Sequence, residues 1–230
     1  MMIFKMKTPI IVVNLKAYAE STGKKSVSIA KTAEAVSTEI GIEIAIAPSF
    51  VDLVKVKESV SIPVFAQHVD TISPGSHTGS ITMENIKDWG IDGIIINHSE
   101  KQLKISEIDI AIKKSRELGL KSLACSNNVD VTKAIAALGP DFVAIEPPEL
   151  IGGDISVSMA KPEVISDSVK AVMEINKNVL VLCGAGVKNK NDVKRAYELG
   201  SRGILVASGV VKAKDVKGAL IDLASGFVGD

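Results

Sequence analysis

The chain has 230 residues, 46% of them hydrophobic, and its 27 basic and 27 acidic side chains cancel to a formal net charge of +0. That length suits one large domain with a well-buried core. The balance of charge, with no block of like sign, excludes the basic stripe of a nucleic-acid binder and the basic amphipathic helix of a membrane-surface protein.

Apolar, β-branched runs recur at 10–13, 42–47, 63–66, 91–96, 121–125, 142–145, 179–183 and 203–207. They are near-continuous rather than alternating, the pattern of parallel strands buried on both faces. Between them lie stretches with helical period. Residues 24–40 align Val27, Ala30, Ala33 and Val36, and residues 106–118 align Ile108, Ala111, Ile112, Ser115 and Leu118. Pro162 suits the first position of a further helix, and residues 191–199 and 215–224 complete the set. Gly41, Gly90, Gly119, Gly139 and Gly200 each stand where a helix should end before the next strand, a position that favours a left-handed backbone. No linker interrupts the series, so residues 1–230 read as a single domain. Its fold class is α/β, a closed (β/α)8 barrel of eight parallel strands with surrounding helices.

No apolar run approaches the ~18 residues of a membrane span, and residues 1–7 lack the apolar core of a signal peptide, so a cytoplasmic protein is the expectation. Cys125 and Cys183 are too few for a disulfide framework and have no metal-ligand spacing. Both read as small buried thiols.

In such a barrel, chemistry belongs to the loops that follow the strands. After strand 1, Asn14 and Lys16 stand two apart and share a face. After strand 4 come His98, Ser99 and Glu100. Ser99 as a helix N-cap would set His98 beside the positive end of a helix dipole and keep its ring neutral. After strand 6, Glu146 is followed by Pro147-Pro148, neither able to donate to a ladder, then Glu149, Leu150, Ile151 and the pair Gly152-Gly153. Alone, that stretch reads as a surface turn; with the other loops it reads as a base on a hinged flap. After strands 7 and 8, Cys183-Gly184-Ala185-Gly186 and Ala207-Ser208-Gly209 allow close backbone approach to an anion, the usual phosphate site of barrels. For His68 and His77, which flank the polar loop 67–80, a solvated role or a subunit contact is the expectation.

Asn14-x-Lys16, His98-Ser99-Glu100, Glu146-Pro147 with its flap and the two glycine-rich loops, in this order, resemble the triosephosphate isomerase family over essentially the whole chain. The resemblance implies interconversion of D-glyceraldehyde 3-phosphate and dihydroxyacetone phosphate through an enediol(ate), in glycolysis and gluconeogenesis, with no cofactor and no metal. It implies that Glu146 is the base, that neutral His98 polarises the carbonyl, and that Lys16 supplies positive charge with Glu100 beside it. Asn14 would position the substrate. Backbone amides around Ile151, Gly186, Ala207 and Ser208 would grip its phosphate. It further implies a homodimer or homotetramer, with Thr78 reaching across a subunit interface. The chain departs from the common pattern at Pro148-Glu149 (usually Val-Trp), at Cys183-Gly184-Ala185-Gly186 (usually Tyr-Gly-Gly-Ser) and at Lys101 (usually Arg). With its short length, these departures resemble the compact archaeal branch. Another phosphate-binding (β/α)8 enzyme, or a barrel that binds a phosphorylated metabolite without catalysis, would share the strand 7 and 8 loops. Neither has a use for the polar set at strands 1, 4 and 6.

Overall fold

In the computed structural model, which describes residues 6–153 and 156–228, strands and helices alternate along the chain. The strands are β1 (Ile10–Asn14), β2 (Glu43–Ala47), β3 (Phe65–Ala66), β4 (Gly93–Ile96), β5 (Lys121–Ser126), β6 (Phe142–Ile145), β7 (Leu180–Cys183) and β8 (Gly203–Val206). The helices are α1 (Lys24–Ile40), α2 (Phe50–Lys57), α3 (Met83–Asp88), α4 (Ile105–Leu118), α5 (Val129–Leu138), α6 (Val157–Ala160), α7 (Pro162–Ile175), α8 (Lys190–Glu198), α9 (Ser208–Val211) and α10 (Val216–Ser225).

All paired strands are parallel, in the order β2-β1-β8-β7-β6-β5-β4-β3. The remaining seam, between β2 and β3, is held by one parallel bridge from Ile46 to Val64 and by the Ile46 N–H bonding to Pro63 O at 3.0 Å. The sheet is thereby a nearly closed barrel. Strand β3 is shorter than the apolar run 63–66 suggests. Pro63 has no N–H, and the Val64 N–H donates to the Asp92 carboxylate at 2.8 Å instead of to a neighbouring strand.

Strand residues alternate between two cores, as the period of two requires. Ile10, Val12, Phe65, Ile95, Leu123, Phe142, Ala144, Leu182 and Leu205 fill the barrel, in a cluster drawn almost wholly from strands. Ile11, Val13, Ile44, Ile46, Ile94 and Val143 pack outward against helical residues such as Ile29, Ala33, Ile108 and Ile112. The stripe read from 106–118 is the buried face of α4, namely Ile108, Ala111, Ile112 and Ser115. The five glycines expected at helix ends all have positive φ, between 68° and 99°. Helix α2 was not read as a helical stretch from the sequence, nor were α6 and α9, whose four residues are too few to show a period. Among the described residues, no helix is long and apolar enough to cross a membrane.

The inward parity of each strand, continued past its end, determines which residues crown the barrel. Phe142 and Ala144 point in, so Glu146 follows; Leu182 points in, so Gly184 follows; Ile10 and Val12 point in, so Asn14 follows. The seam that carries β1 against β8 is tight. A Cβ on Gly203 would lie 2.2 Å from the Ile10 carbonyl oxygen and 2.8 Å from Ile10 Cγ2. Backbone cannot yield as a side chain does, so Gly203→Ala should destabilise the fold by about 2–3 kcal/mol, the upper end of overpacking costs. Urea denaturation reads this as a lower midpoint, and an unchanged midpoint would contradict the pairing of Gly203 with Ile10.

Candidate active site

A cavity opens at the C-terminal ends of the strands. Asn14, Lys16, His98, Glu146, Ile151, Gly186, Ala207 and Ser208, each singled out from the sequence, all line it. Glu100 does not. Its side chain is 61% exposed and reaches in from the rim to bond Lys16 Nζ at 2.8 Å, while the Lys16 side chain is only 12% exposed. The cation is thus sequestered and its counter-charge stays in solvent.

Glu146 is 6% exposed. Its backbone N–H donates to Ser126 O at 2.8 Å, extending the β5–β6 pairing by one residue. Gly184 forms the wall against the carboxyl group: a Cβ there would stand 2.3 Å from Glu146 Cγ and 2.8 Å from Oε1. Oε2 has no hydrogen-bond partner. Burial raises the Glu146 pKa above the ordinary glutamate value; nearby His98, the Cys125 thiol and Lys16 pull it back only in part. Cys125 is buried beside Glu146, and burial together with that carboxylate pushes its thiol well above the usual range, so it is held as a thiol and not as a nucleophile.

His98 Nε2 lies 3.6 Å from Glu146 Oε2. Its other nitrogen, Nδ1, accepts the Glu100 backbone N–H at 3.2 Å. A nitrogen that accepts carries no proton, so the ring is neutral and its single N–H is at Nε2, aimed into the cavity. The cause differs from the one the sequence suggests. Ser99 caps no helix: it sits in a turn closed by Lys101 N–H to His98 O at 2.7 Å, and α4 begins only at Ile105 after Lys104. A local backbone donor, not a helix dipole, sets the tautomer.

Three non-glycine residues among those described have positive φ: Lys16 (48°), Asn97 (56°) and Ala185 (63°). They follow β1, β4 and β7; Lys16 and Ala185 line the cavity, and Asn97 lines a neighbouring pocket that shares Glu146 with it. Each is held by its surroundings. Asn14 Oδ1 accepts the Lys16 N–H at 2.9 Å, and Gln67 Nε2 donates to Lys16 O at 3.1 Å. Asn97 donates to Cys125 O at 2.9 Å and accepts the Leu103 N–H at 3.0 Å. The turn at Asn97 breaks the strand's alternation and brings His98, whose parity is outward, to face Glu146.

The flap begins with a single 3-10 turn over Pro148–Leu150. Gly152 has φ 71° and, with Ile151 and Gly153, lines the cavity. Glu149 is ion-paired with Lys161, whose hydrogen bond holds the carboxyl below the usual range. Gly209, read with the loop after strand 8, lines the cavity too, as do Tyr18, Val187 and Lys188, which were not foreseen. A cation placed shortly after the glycine-rich end of strand 7 was the one available signal for Lys188. His68, expected to be solvated or at a subunit contact, is buried and paired with Asp70 at 3.3 Å.

The sequence model of triosephosphate isomerase matches residues 9–225. The chain belongs to the triosephosphate isomerase family. It is 55% identical over 214 residues to the triosephosphate isomerase of Methanocaldococcus jannaschii, covering 93% of this chain and 98% of that one. It is 52% identical over 218 residues to that of Methanothermus fervidus and 53% identical over 218 residues to that of Methanosarcina barkeri, each with 95% of this chain and 98% of the relative covered. Near-complete coverage on both sides means that the family's barrel is spanned, and these three relatives are all archaeal.

The buried carboxylate makes a prediction that needs no substrate. A raised folded-state pKa means that the native protein binds the Glu146 proton more tightly than the unfolded chain does. Stability therefore falls as pH rises from the unfolded glutamate value of about 4.3 through the raised native one. Glu146→Gln removes that penalty. The variant should be more stable than wild type at pH 8, and the difference should vanish below about pH 4. Denaturant titrations at both pH values check this, and a variant less stable at pH 8 would contradict it.

Proposed function

We propose that this protein interconverts D-glyceraldehyde 3-phosphate and dihydroxyacetone phosphate by proton transfer through an enediol(ate), in the cytoplasm, as one barrel domain. Supporting the reading is membership of the family together with one geometric fact: an unpartnered Glu146 oxygen and a neutral His98 N–H meet 3.6 Å apart in a cavity that also holds Lys16.

The reaction removes a weakly acidic proton from carbon next to a carbonyl, so it requires a base, an electrophile and exclusion of water. Glu146, desolvated and raised in pKa, is the base. Its pairing with an electrophilic neutral histidine is the arrangement already described for triosephosphate isomerases. The His98 Nε2–H donates to the carbonyl oxygen as charge develops there. A neutral imidazole suits this role, because it can lend a proton to one oxygen and take one from the other. Lys16 adds fixed positive charge near the enediolate, and Glu100 restrains its ammonium. Asn14 holds the Lys16 turn by its Oδ1 and directs its amide at the substrate. Backbone N–H groups around Ile151, Gly186, Ala207 and Ser208 grip the phosphate, and the flap carries Ile151 over it. Phosphate binding contributes the energy of closure, as remote binding energy does in general. Closure matters, since an enediolate in water eliminates its phosphate. The proton is moved between two carbons of one molecule, so the chemistry requires no cofactor and no metal.

A coupled assay on chelator-treated protein should find isomerase activity. Glu146→Gln should lose at least ~10²-fold in turnover, the contribution of a positioned base. Gly184→Ala, which drives a methyl into the Glu146 side chain, should lose about 10²-fold by misplacing that base. A folded but inactive wild type would overturn the function, and near-normal turnover in Glu146→Gln would reassign the base.

We also read the chain as a homodimer or homotetramer. A second, more open cavity flanks the first; Lys16, Glu100, Phe50 and Thr78 line it, so the catalytic lysine is approached from that side as well. Val51, next to Phe50, is 94% exposed, an apolar side chain left bare beside this opening. Sedimentation at micromolar concentration should find a dimer or tetramer; a monomer would overturn this reading.

A further inference from the structure

Asp192 lies in the first turn of α8 and is only 7% exposed. With the helix N-cap Asn189 it forms a capping box: Asn189 Oδ1 accepts the Asp192 N–H at 3.1 Å, and Asp192 Oδ2 accepts the Asn189 N–H at 3.2 Å. Capping is complete with those two bonds. The carboxylate nevertheless makes others. Oδ2 accepts the Lys188 N–H at 2.9 Å, and Oδ1 accepts the Ser156 hydroxyl at 2.6 Å, a short charge-assisted bond. The Asp192 carbonyl accepts the Ser158 hydroxyl at 2.9 Å, and the two serine hydroxyls are 3.0 Å apart. Both serines are buried, at 2% and 1% exposed.

The bonds beyond the cap join two particular segments. Ser156 and Ser158 bracket the return of the chain into the scaffold after the flap. Lys188 ends the loop after β7, whose Ala185, Gly186, Val187 and Lys188 line the cavity. Val157 N–H donates to Ala185 O at 3.3 Å and ties the same two segments again. Asp192 is not among the residues lining the cavity. A buried carboxylate stripped of a donor cannot turn to water for a replacement, so loss of one bond is felt by the others.

We infer that Asp192 is a positioning residue for the isomerase reaction: through Ser156 it fastens the exit of the flap to the loop after β7, so that flap and phosphate-gripping backbone are held in register over the substrate. The inference rests on the function proposed above. In this chain Cys183 and Gly186 carry no hydroxyl that could fasten the flap from the loop itself, and the buried carboxylate behind that loop takes the task.

The test compares Ser156→Ala, Ser156→Thr and Asp222→Ala in steady-state turnover of glyceraldehyde 3-phosphate, with release of inorganic phosphate counted per turnover. The count per turnover reports on flap closure and is independent of how much protein is folded. Ser156→Ala should lower kcat/KM about tenfold, the worth of a hydrogen bond to a charged group, and raise phosphate release several-fold as more of the enediolate meets water. Ser156→Thr keeps the hydroxyl and should restore both. Asp222, which accepts the Lys190 N–H at 3.0 Å at the same helix end, supplies the stability control: its loss should lower the melting temperature and leave phosphate release per turnover at the wild-type value. An active wild type beside a Ser156→Ala enzyme with unchanged kcat/KM and phosphate release would overturn the inference alone. So would a phosphate release in Asp222→Ala that matches Ser156→Ala. An inactive wild type would instead overturn the isomerase function, on which the inference rests.

Discussion

The Glu146 carboxyl group rests on a glycine. Any side chain at 184 would occupy the space of its Cγ, so the absence of one methyl group lets an acid lie flat across the top of the barrel core, out of water. Much of the rest of the site follows from that contact. Desolvation raises the proton affinity of the acid, Cys125 closes its far side with an un-ionised thiol, and Oε2 is left without a bond, facing the His98 N–H. Further hydrogen bonds within the protein would have lowered its basicity; burial with Oε2 left unpartnered preserves it. The cost is a buried ionisable group with incomplete compensation, which a fold tolerates only when the surrounding packing is secure.

That packing is secure because the barrel has two apolar layers. Strand residues fill its interior on one parity and meet the helices on the other, leaving few polar groups among the strands themselves. The same scaffold absorbs backbone strain. Lys16, Asn97 and Ala185 each occupy a left-handed conformation that costs of order 1 kcal/mol or more for a non-glycine residue. All three lie just past the C-terminal end of a strand. At Asn97 the strain has a visible effect, because without the reversal His98 would continue the outward parity of β4 and point into the helical layer. Asn14 and Gln67 hold the turn at Lys16, and the Asn97 side chain holds its own, so neighbouring strands over-determine the strained turns.

Charge at the site is arranged by exposure as much as by distance. Lys16 is sequestered while Glu100 faces solvent, so the pair is electrically balanced yet presents its cation to the cavity. Behind the loop after β7, Asp192 does the reverse: an anion is enclosed by hydroxyl and backbone donors from two segments that must stay aligned. The flap lies between these two arrangements. Its own ion pair, Glu149 with Lys161, is largely exposed and therefore weak. The buried contacts at its exit carry more of its positioning.

The sequence by itself determined the alternation of strands and helices, because apolar runs, helical stripes and terminal glycines are local consequences of backbone geometry. It also determined the candidate polar set, since residues just past a barrel strand must lie at the open end. Tertiary structure decided what those patterns leave free. It shortened β3, where Asp92 takes the N–H that Pro63-Val64 would have offered a neighbour. It denied Ser99 a helix to cap and assigned the neutrality of His98 to the Glu100 backbone N–H. Asp192 was invisible because it acts through a partner distant in the chain: an acid in a first helical turn reads as an ordinary cap until Ser156 is seen against it. Local rules govern conformation residue by residue. Which groups meet, and which are left without a partner, is settled only when the barrel closes.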